Sequence, residues 1–262
     1  MMKKPIIALA VLVIAGGLGV WYHLTHRHAL QPAIAQLPPP ASAGPPSILH
    51  PVPASGQAGT QAAPLPALND SDAAIRGALG ELIGTAAVRN FLVSPGLIRR
   101  IVVTVDNLLR DKAPSDKLPV VAAAGTFLAQ GDDQHAMLDP QNYARYTPMV
   151  AVIGKLDMHA LANVYFHFYP LFQSAYEGLG YPNSYFNDRL IKVIDSMLAT
   201  PQPTGPIELV RPNVLYQYAD PALEARPAGQ KLLIRMGPDN AAQIKKKLSE
   251  LRAALTAAPL KR

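Results

Sequence analysis

The chain has 262 residues, of which 49% are apolar and 16% are charged, and it contains 26 prolines and no cysteine. This apolar content excludes a wholly disordered chain, and the lack of cysteine excludes a disulfide scaffold, a cysteine nucleophile and any metal site with cysteine ligands. The formal net charge of +6 comes from the two ends, because residues 70–244 carry 15 basic and 17 acidic side chains.

Residues 1–28 are predicted to form a membrane anchor. Ile6 to Tyr22 is an uncharged run of 17 residues, which as a helix spans roughly 26 Å, close to the thickness of a bilayer core. Lys3 and Lys4 precede the run, so the positive-inside bias keeps the N-terminus in the cytoplasm and exports the rest of the chain. A cleaved signal peptide is the alternative, since Ala33-Ile34-Ala35 fits a cleavage motif. The long apolar run and its distance from that triplet favour an uncleaved anchor.

Residues 29–67 are predicted to form a disordered linker. Ten of the residues from Ala29 to Pro66 are proline, and the others are largely Ala, Gly, Ser and Gln without hydrophobic periodicity. Such a composition favours extended conformations over a folded core, and the stretch reaches at most about 110 Å. A spacer is the favoured interpretation. A proline-rich ligand for a partner domain is the alternative, but Pro38-Pro39-Pro40 has no flanking Arg.

Residues 68–256 are predicted to fold as a mainly helical domain, followed by a basic tail at 257–262. Apolar side chains recur at helical spacing after Ser71, and again after the start signal Ser94-Pro95, where the stripe runs from Ile98 to Leu109. Pro170 is expected to kink or divide its helix. The remaining helices are predicted over residues 140–156, 158–179 and 184–199, after Pro227, and from Pro238 onward. The last of these has an apolar face formed by Ala241, Ile244, Leu248, Leu251 and Leu255.

A minor β element is predicted after Pro201. Residues 207–210 and 214–218 alternate apolar and polar side chains on either side of Arg211-Pro212-Asn213, which indicates a hairpin. Residues 120–130 are a further candidate for extended structure. The predicted fold class is therefore mainly α: a compact helical domain with a minor β-hairpin, preceded by one transmembrane helix and a Pro-rich linker.

Several strings follow one another along the domain in a recognisable order: LNDSDAAIR (68–76), VVTVDNLL (102–109), NYARYTPMV (142–150), YPLFQSAYEGLGYP (169–182), MLATP (197–201) and LYQYADPALEARPAGQKLLIRMGPDNA (215–241). Together they resemble the bacterial domain-of-unknown-function family numbered 3014, over about residues 65–255. The resemblance implies a Gram-negative, membrane-anchored protein. Combined with the topology expected from Lys3 and Lys4, this predicts a single-pass inner-membrane protein with a cytoplasmic N-terminus and a periplasmic domain. It implies no activity, because that family has no established function.

The sequence predicts no metal, cofactor or nucleic-acid site. His159 and His167 are eight residues apart on one predicted helix, whereas a helical zinc pair requires a spacing of four. The chain has no Gly-rich phosphate loop and no Gly-x-Ser-x-Gly motif. The lysine run at 245–247 covers the polar arc of the final helix, so a solvated face explains it, and export removes nucleic acid from reach.

Glu177 is the candidate catalytic residue of an alternative function, cleavage of an envelope glycan or peptide. It lies where a predicted helix ends beside Tyr176 and Tyr181, and a glutamate in an aromatic cleft suits a general acid. The second carboxylate would come from Asp157, Asp188 or Asp195. A glutamate in the last turn of a helix is usually solvated or paired with arginine, so the sequence leans against an enzyme.

Aromatic residues concentrate between Tyr143 and Phe186, a stretch that holds eleven of the chain's Trp, Tyr and Phe residues. Packing in the core explains the phenylalanines. Each tyrosine offers apolar area and a hydroxyl, which suits a partly wet binding surface. We therefore expect a binding site among Tyr143, Arg145, Tyr146, Tyr169, Tyr176 and Tyr181. The predicted function is a binding or scaffolding module of the cell envelope, with an envelope protein or the cell wall as its partner.

Overall fold

The computed structural model describes residues 48–53, 64–132, 136–212 and 215–257. It is mainly helical, as the hydrophobic periodicity predicts. The helices are α1 (Asp72–Ile83), α2 (Thr85–Phe91), α3 (Leu97–Asn107), α4 (Gln141–Gly154), α5 (Met158–Glu177), α6 (Phe186–Leu198), α7 (Pro221–Glu224), α8 (Ala228–Arg235) and α9 (Pro238–Thr256).

Within these described ranges, no helix combines the length and the hydropathy that a membrane crossing requires. The predicted anchor helix at 6–22 lies outside the described residues, and so does most of the predicted linker. The single-pass topology therefore stays a prediction.

Helix α3 follows its apolar stripe rather than its β-branched composition. Ile98, Val102 and Val105 of the predicted stripe are at most 1% exposed. Burying three such side chains outweighs the small helical penalty of β-branched residues. Leu109, the last residue of the predicted stripe, lies just beyond the end of the helix.

The start of α3 is capped by a residue from another helix, and not by Ser94 as the sequence suggests. The carboxylate of Asp72 accepts hydrogen bonds from the backbone N–H groups of Gly96 and Leu97, both at 2.8 Å. The Ser94 hydroxyl donates to the same carboxylate at 2.8 Å. Asp72 thus joins the first turn of α1 to the first turn of α3.

Helix α2 is the one helix of more than a single turn that the sequence did not predict. It is short, and only Ala87 and Val88 of its residues are buried. Gly84 separates α1 from α2 with a φ of 81°, a conformation that glycine adopts without strain. A seven-residue helix with so few apolar positions leaves little periodicity to detect.

Helix α5 runs unbroken from Met158 to Glu177 although Pro170 lies within it. Pro170 therefore does not divide this helix, and a kink at Pro170, the other predicted outcome, stays a prediction. Proline removes one backbone hydrogen bond, and the buried neighbours Phe168 and Phe172 hold the helix against the core on both sides of it.

The β element is larger than the predicted hairpin. Strands β3 (Glu208–Val210) and β4 (Gln217–Tyr218) pair antiparallel, which confirms the hairpin. Two further strands, β1 (Ala129–Gln130) and β2 (Ala136–Leu138), extend it to a four-stranded antiparallel sheet in the order β1-β2-β3-β4. The inward side chains of this sheet form a small second core: Ala136, Leu138, Leu209 and Tyr218.

The main core lies between α3, α5, α6 and α9. Helix α9 contributes Ile244, Leu248 and Leu251, each at most 2% exposed, as its predicted apolar face requires. Phe186, at the first position of α6, is 1% exposed and stacks on Phe172 of α5. This aromatic contact fixes where α6 begins relative to α5.

Candidate functional site

Residues 48–53 fall in the stretch that the sequence assigns to the linker, yet they lie against the start of α6. The two carboxylate oxygens of Asp188 accept hydrogen bonds from the backbone N–H groups of Leu49, at 3.1 Å, and His50, at 2.7 Å. The Asn187 amide donates to the His50 carbonyl at 2.9 Å. The Val52 N–H donates to the Tyr185 hydroxyl at 3.1 Å. We call residues 48–53 the docked segment, and Tyr185, Asn187 and Asp188 the segment site.

The segment site satisfies every backbone donor from residue 49 to residue 53. Leu49, His50 and Val52 each give their N–H to the site. Pro51 and Pro53 have no N–H to give. The prolines therefore lie at the positions where the site offers no acceptor. The site recognises the main chain of the segment rather than its side chains.

The side chains of the docked segment contribute less than its main chain. Ile48 is 54% exposed and Leu49 is 71% exposed. Val52 is partly buried and packs against the main core. One apolar contact therefore supplements the four hydrogen bonds.

Helix α5 holds the segment site in place from behind. Asn187 is 0% exposed, and its carbonyl oxygen accepts a hydrogen bond from the Tyr165 hydroxyl at 3.1 Å. This bond fixes the orientation of the Asn187 amide, which leaves its N–H groups free to face the segment. The side-chain oxygen of Gln173 accepts a hydrogen bond from the backbone N–H of Phe186 at 2.8 Å. The side-chain NH2 of Gln173 donates to the backbone carbonyl of Ser184 at 2.9 Å. The first turn of α6 is thus preorganised before any ligand arrives.

Three tyrosine rings line this end of the core. The Tyr165 and Tyr169 rings meet edge to face with centroids 5.6 Å apart, and the Tyr169 and Tyr185 rings lie 5.4 Å apart. Burial raises the pKa of Tyr165 well above its usual value. Burial, with a hydrogen bond to Tyr185, also raises the pKa of Tyr169. Both hydroxyls therefore stay protonated and act as hydrogen-bond donors.

The structure divides the predicted tyrosines among three places, and only Tyr169 lies beside the segment site. Tyr176 and Tyr181 stack with centroids 4.7 Å apart. The Tyr181 hydroxyl donates to Asp106 at 3.3 Å and accepts from Arg110 at 2.8 Å. These two tyrosines therefore belong to an internal cluster around Asp106.

Asp106 is 3% exposed and is neutralised from two sides. Its carboxylate lies 2.7 Å from the Arg110 guanidinium and 3.1 Å from that of Arg189. Arg189 also donates to the Asp106 backbone carbonyl. We call Asp106, Arg110, Arg189 and Tyr181 the Asp106 cluster; its partners all come from within the domain, so it binds helices together.

The predicted residues of α4 have packing roles. Arg145 donates to the carbonyls of Ala124 and Gly125 at 2.9 and 3.0 Å and so holds the loop before β1. Tyr146 is 4% exposed in the main core. The Tyr143 ring lies so close to Gly237 that a Cβ there would stand 2.4 Å from the ring.

Glu177 is exposed and accepts a hydrogen bond from Gln173 at 2.9 Å. Each proposed second carboxylate is engaged elsewhere. Asp157 caps the other end of α5, about 30 Å away along the helix axis. Asp188 binds the docked segment, and Asp195 lies 2.5 Å from the Arg252 guanidinium. None of these contacts forms a carboxyl pair with Glu177.

Two further candidates among the described residues give no ligand site. Among the described residues, no group of three or more His, Asp or Glu side chains could hold a metal ion. A cavity of about 60 Å³ lies between α1, α3, α5, α6 and α9, lined by apolar and aromatic side chains that include Ile75, Val105 and Phe172. Small-molecule sites orient their ligand with a few convergent polar groups, and this wall supplies none.

The sequence does not predict the segment site: it names Asp188 only as a possible second carboxylate for Glu177, and it gives Tyr185 and Asn187 no role. Tyr185, Asn187 and Asp188 follow a Pro-Asn-Ser turn at the start of a helix, and polar residues there normally serve as caps. The signal lay in the linker, where Ile48, Leu49 and Val52 bring three large aliphatic side chains within five residues. Only the structure pairs that stretch with α6.

A family model described as "Protein of unknown function (DUF3014)" matches residues 97–252, which is more than half of the chain. The chain therefore belongs to this family, as its sequence resemblance predicts. No curated protein and no solved structure matches the chain. The family assignment supplies no activity, so the function has to be inferred from the geometry of the segment site.

Proposed function

We propose that this member of the DUF3014 family is a single-pass inner-membrane protein whose periplasmic domain binds an extended segment of another envelope polypeptide. The uncharged run at 6–22 behind Lys3 and Lys4 supports the anchor. The proline-rich stretch at 29–67 supports a spacer. An anchor, a spacer and a domain together hold a binding module away from the membrane surface.

The observation that carries this proposal is the set of four hydrogen bonds from the segment site to the main chain of residues 48–53. Main-chain N–H and C=O groups occur in every polypeptide, and extended peptides are commonly recognised through them. A carboxylate that accepts two successive N–H groups also fixes the direction of the bound chain. The site therefore has the chemistry to bind a polypeptide in one orientation.

The test measures binding of a synthetic peptide with the sequence of residues 47–54, Ser-Ile-Leu-His-Pro-Val-Pro-Ala, to the full-length chain in detergent. Two matched variants either remove or keep the hydrogen bonds by which the chain's own docked segment occupies the site. Leu49→Pro/His50→Pro, the proline variant, lacks the two N–H groups that bind Asp188. Leu49→Ala/His50→Ala, the alanine variant, truncates the same side chains and keeps both N–H groups. We expect fluorescence anisotropy to show saturable binding of the peptide to the proline variant at concentrations up to about 1 mM.

A second substitution locates the bound peptide. Asp188→Asn in the proline variant is expected to weaken binding about tenfold, because two charge-assisted hydrogen bonds lose their charge. Asp195→Asn lies on the same helix and loses only its pair with Arg252, so it is expected to leave binding unchanged. Absence of binding to the proline variant, or an equal loss from both substitutions, rejects the proposal.

The topology has its own test. Alkaline phosphatase fused after residue 69 folds to an active enzyme only when it is exported. We expect an active fusion, and an inactive one would overturn the periplasmic assignment.

A further inference from the structure

We infer that residues 48–53 are an intramolecular ligand, which occupies the segment site until a partner segment with the same pattern of backbone donors displaces it. This inference rests on the proposed function, since it assumes that the site binds polypeptide. It adds the class of ligand and the way in which access to the site is controlled.

The class of ligand follows from the donors that the site accepts. Two successive residues must present N–H groups to Asp188, and the third needs none. The fourth must present an N–H to Tyr185 and carry an apolar side chain of about the size of valine. A partner segment of the form X-X-Pro-Val-Pro meets these conditions. Repulsion from the Asp188 carboxylate disfavours acidic side chains in the first two positions, by up to about fivefold in affinity, or about 1 kcal/mol, because the first of them is exposed.

The contacts of the docked segment are few enough to be reversible. Its two largest apolar side chains, Ile48 and Leu49, are mostly exposed and bury little area. Docking thus rests on main-chain hydrogen bonds, each of which exchanges for a bond to water on release. A segment held in this way differs from a strand or helix that is built into a core.

The connection to the domain explains why so weak a ligand is bound at all. Ten residues, 54–63, join the docked segment to the described residues of the domain. A chain of ten residues extends at most about 36 Å, whatever its conformation. Short linkers of this kind raise the effective concentration of an attached ligand to the millimolar range. A partner in solution must compete with that concentration.

Displacement also changes the reach of the domain in the proposed topology. With the segment docked, the tether from the anchor consists of the 25 residues 23–47; with the segment free, it consists of the 41 residues 23–63. At about 3.1 Å per residue the maximal reach rises from about 80 Å to about 130 Å. Capture of a partner segment therefore lets the domain move farther from the membrane.

The experiment measures the position of the segment directly. The chain has no cysteine, so spin labels can be attached at Ile48→Cys and at His159→Cys, an exposed position at the far end of α5. Double electron–electron resonance on the full-length chain is expected to give one narrow distance distribution. The alanine variant is expected to keep it, and the proline variant to replace it with a broad distribution at longer distance.

Competition completes the test. The peptide of residues 47–54 is expected to convert the narrow distribution into the broad one, and to bind the proline variant at least fivefold more tightly than the unmodified chain. The control peptide Ser-Ile-Pro-Pro-Leu-Val-His-Ala has the same composition but lacks the first two donors, and is expected to do neither.

Two outcomes overturn the inference while the proposed function stands. In one, the peptide binds the proline variant and the unmodified chain equally well. In the other, the peptide binds but the narrow distribution persists at saturation, which makes the segment a fixed part of the fold. If the peptide binds no form of the chain, the proposed function and this inference fail together.

Discussion

Asp72 and Asp188 make the same contact in two parts of the molecule. Each uses its two carboxylate oxygens to accept hydrogen bonds from two successive backbone N–H groups: Gly96 and Leu97 for Asp72, Leu49 and His50 for Asp188. The distances, from 2.7 to 3.1 Å, are similar. The chemistry of the acceptor therefore does not tell a structural contact from a binding site.

What differs is the chain that carries the N–H groups. Behind Gly96 comes α3, whose first residues Leu97 and Ile98 are fully buried. Leu49 is 71% exposed, and it is followed by four more residues of the docked segment and then by the ten that lead to the domain. The Asp72 contact is therefore fixed by the core, whereas the Asp188 contact depends on its own hydrogen bonds and on one valine. Asp106 is a third carboxylate with structural contacts; it is 3% exposed, and its partners Arg110 and Arg189 both belong to the domain.

The largest effect on stability is expected at the Asp106 cluster. Asp106→Asn leaves Arg189 partly buried without its counter-charge, and breaking a buried ion pair in this way costs about 3 kcal/mol. Urea unfolding of the full-length chain should show that loss. Asp116→Asn removes an exposed carboxylate that pairs with Lys117, and it should change the free energy of unfolding by less than about 0.5 kcal/mol. Equal effects from the two substitutions would show that the cluster is not structural.

Asp72→Ala is expected to cost about 2 kcal/mol, the upper end for loss of a helix cap. It removes the acceptor for the first two N–H groups of α3 but leaves the segment site intact. Asp70→Ala, two residues earlier and exposed, is the control and should be neutral. Peptide binding by the proline variant should be unaffected by either. A loss of binding with Asp72→Ala would mean that the two contacts are coupled.

The Asp72 contact also predicts a dependence on pH. Partial burial opposes the shift, but hydrogen bonds from Leu97, Ser94 and Gly96 lower the pKa of Asp72 overall. A lowered pKa in the folded state means that the stabilisation is complete above the unfolded value of about 3.9 and is lost as the pH falls through the folded value. The stability difference between the unmodified chain and Asp72→Ala should therefore shrink below about pH 4.

The sequence predicts most of the fold because its helices are long and amphipathic. The stripe of α3 and the apolar face of α9 predict their helices from side-chain spacing alone. Helix α2 is too short to show a period, and so is strand β2 with its three residues. Strand β1 falls at the end of residues 120–130, which the sequence does offer as a candidate for extended structure.

The candidate site was predicted poorly for a physical reason. Of the tyrosines that the composition singles out, only Tyr169 lies beside the segment site. The site exists because residues 48–53 and Asp188, separated by nearly 140 positions, come together. A proline-rich stretch has no periodicity from which a docking contact could be predicted. Neither residues 48–53 nor Asp188 therefore indicates the other in the sequence.

Tyr165→Phe separates support of the site from support of the fold. It removes the hydroxyl that orients Asn187, and Tyr218→Phe removes a comparable buried bond to the Lys231 carbonyl. Each should cost about 1 kcal/mol of unfolding free energy. Only Tyr165→Phe should also weaken peptide binding by the proline variant, several-fold, because the amide loses its fixed orientation. An equal loss of binding in both variants would assign the effect to general loosening of the domain.

The smallest effect is expected at Glu177, the residue on which the alternative enzyme function depends. Glu177→Gln keeps an oxygen that accepts the bond from Gln173, and the side chain is exposed, so stability should change by less than about 0.5 kcal/mol. Peptide binding should stay unchanged, as it should in the control Glu81→Gln, which alters another exposed glutamate. Incubation of the full-length chain with purified wall material tests the alternative enzyme function. Turnover that Glu177→Gln abolishes and Glu81→Gln leaves unchanged would show that the protein is an enzyme and not a binding module. Substitution of an exposed glutamate stops a reaction only when that glutamate takes part in it.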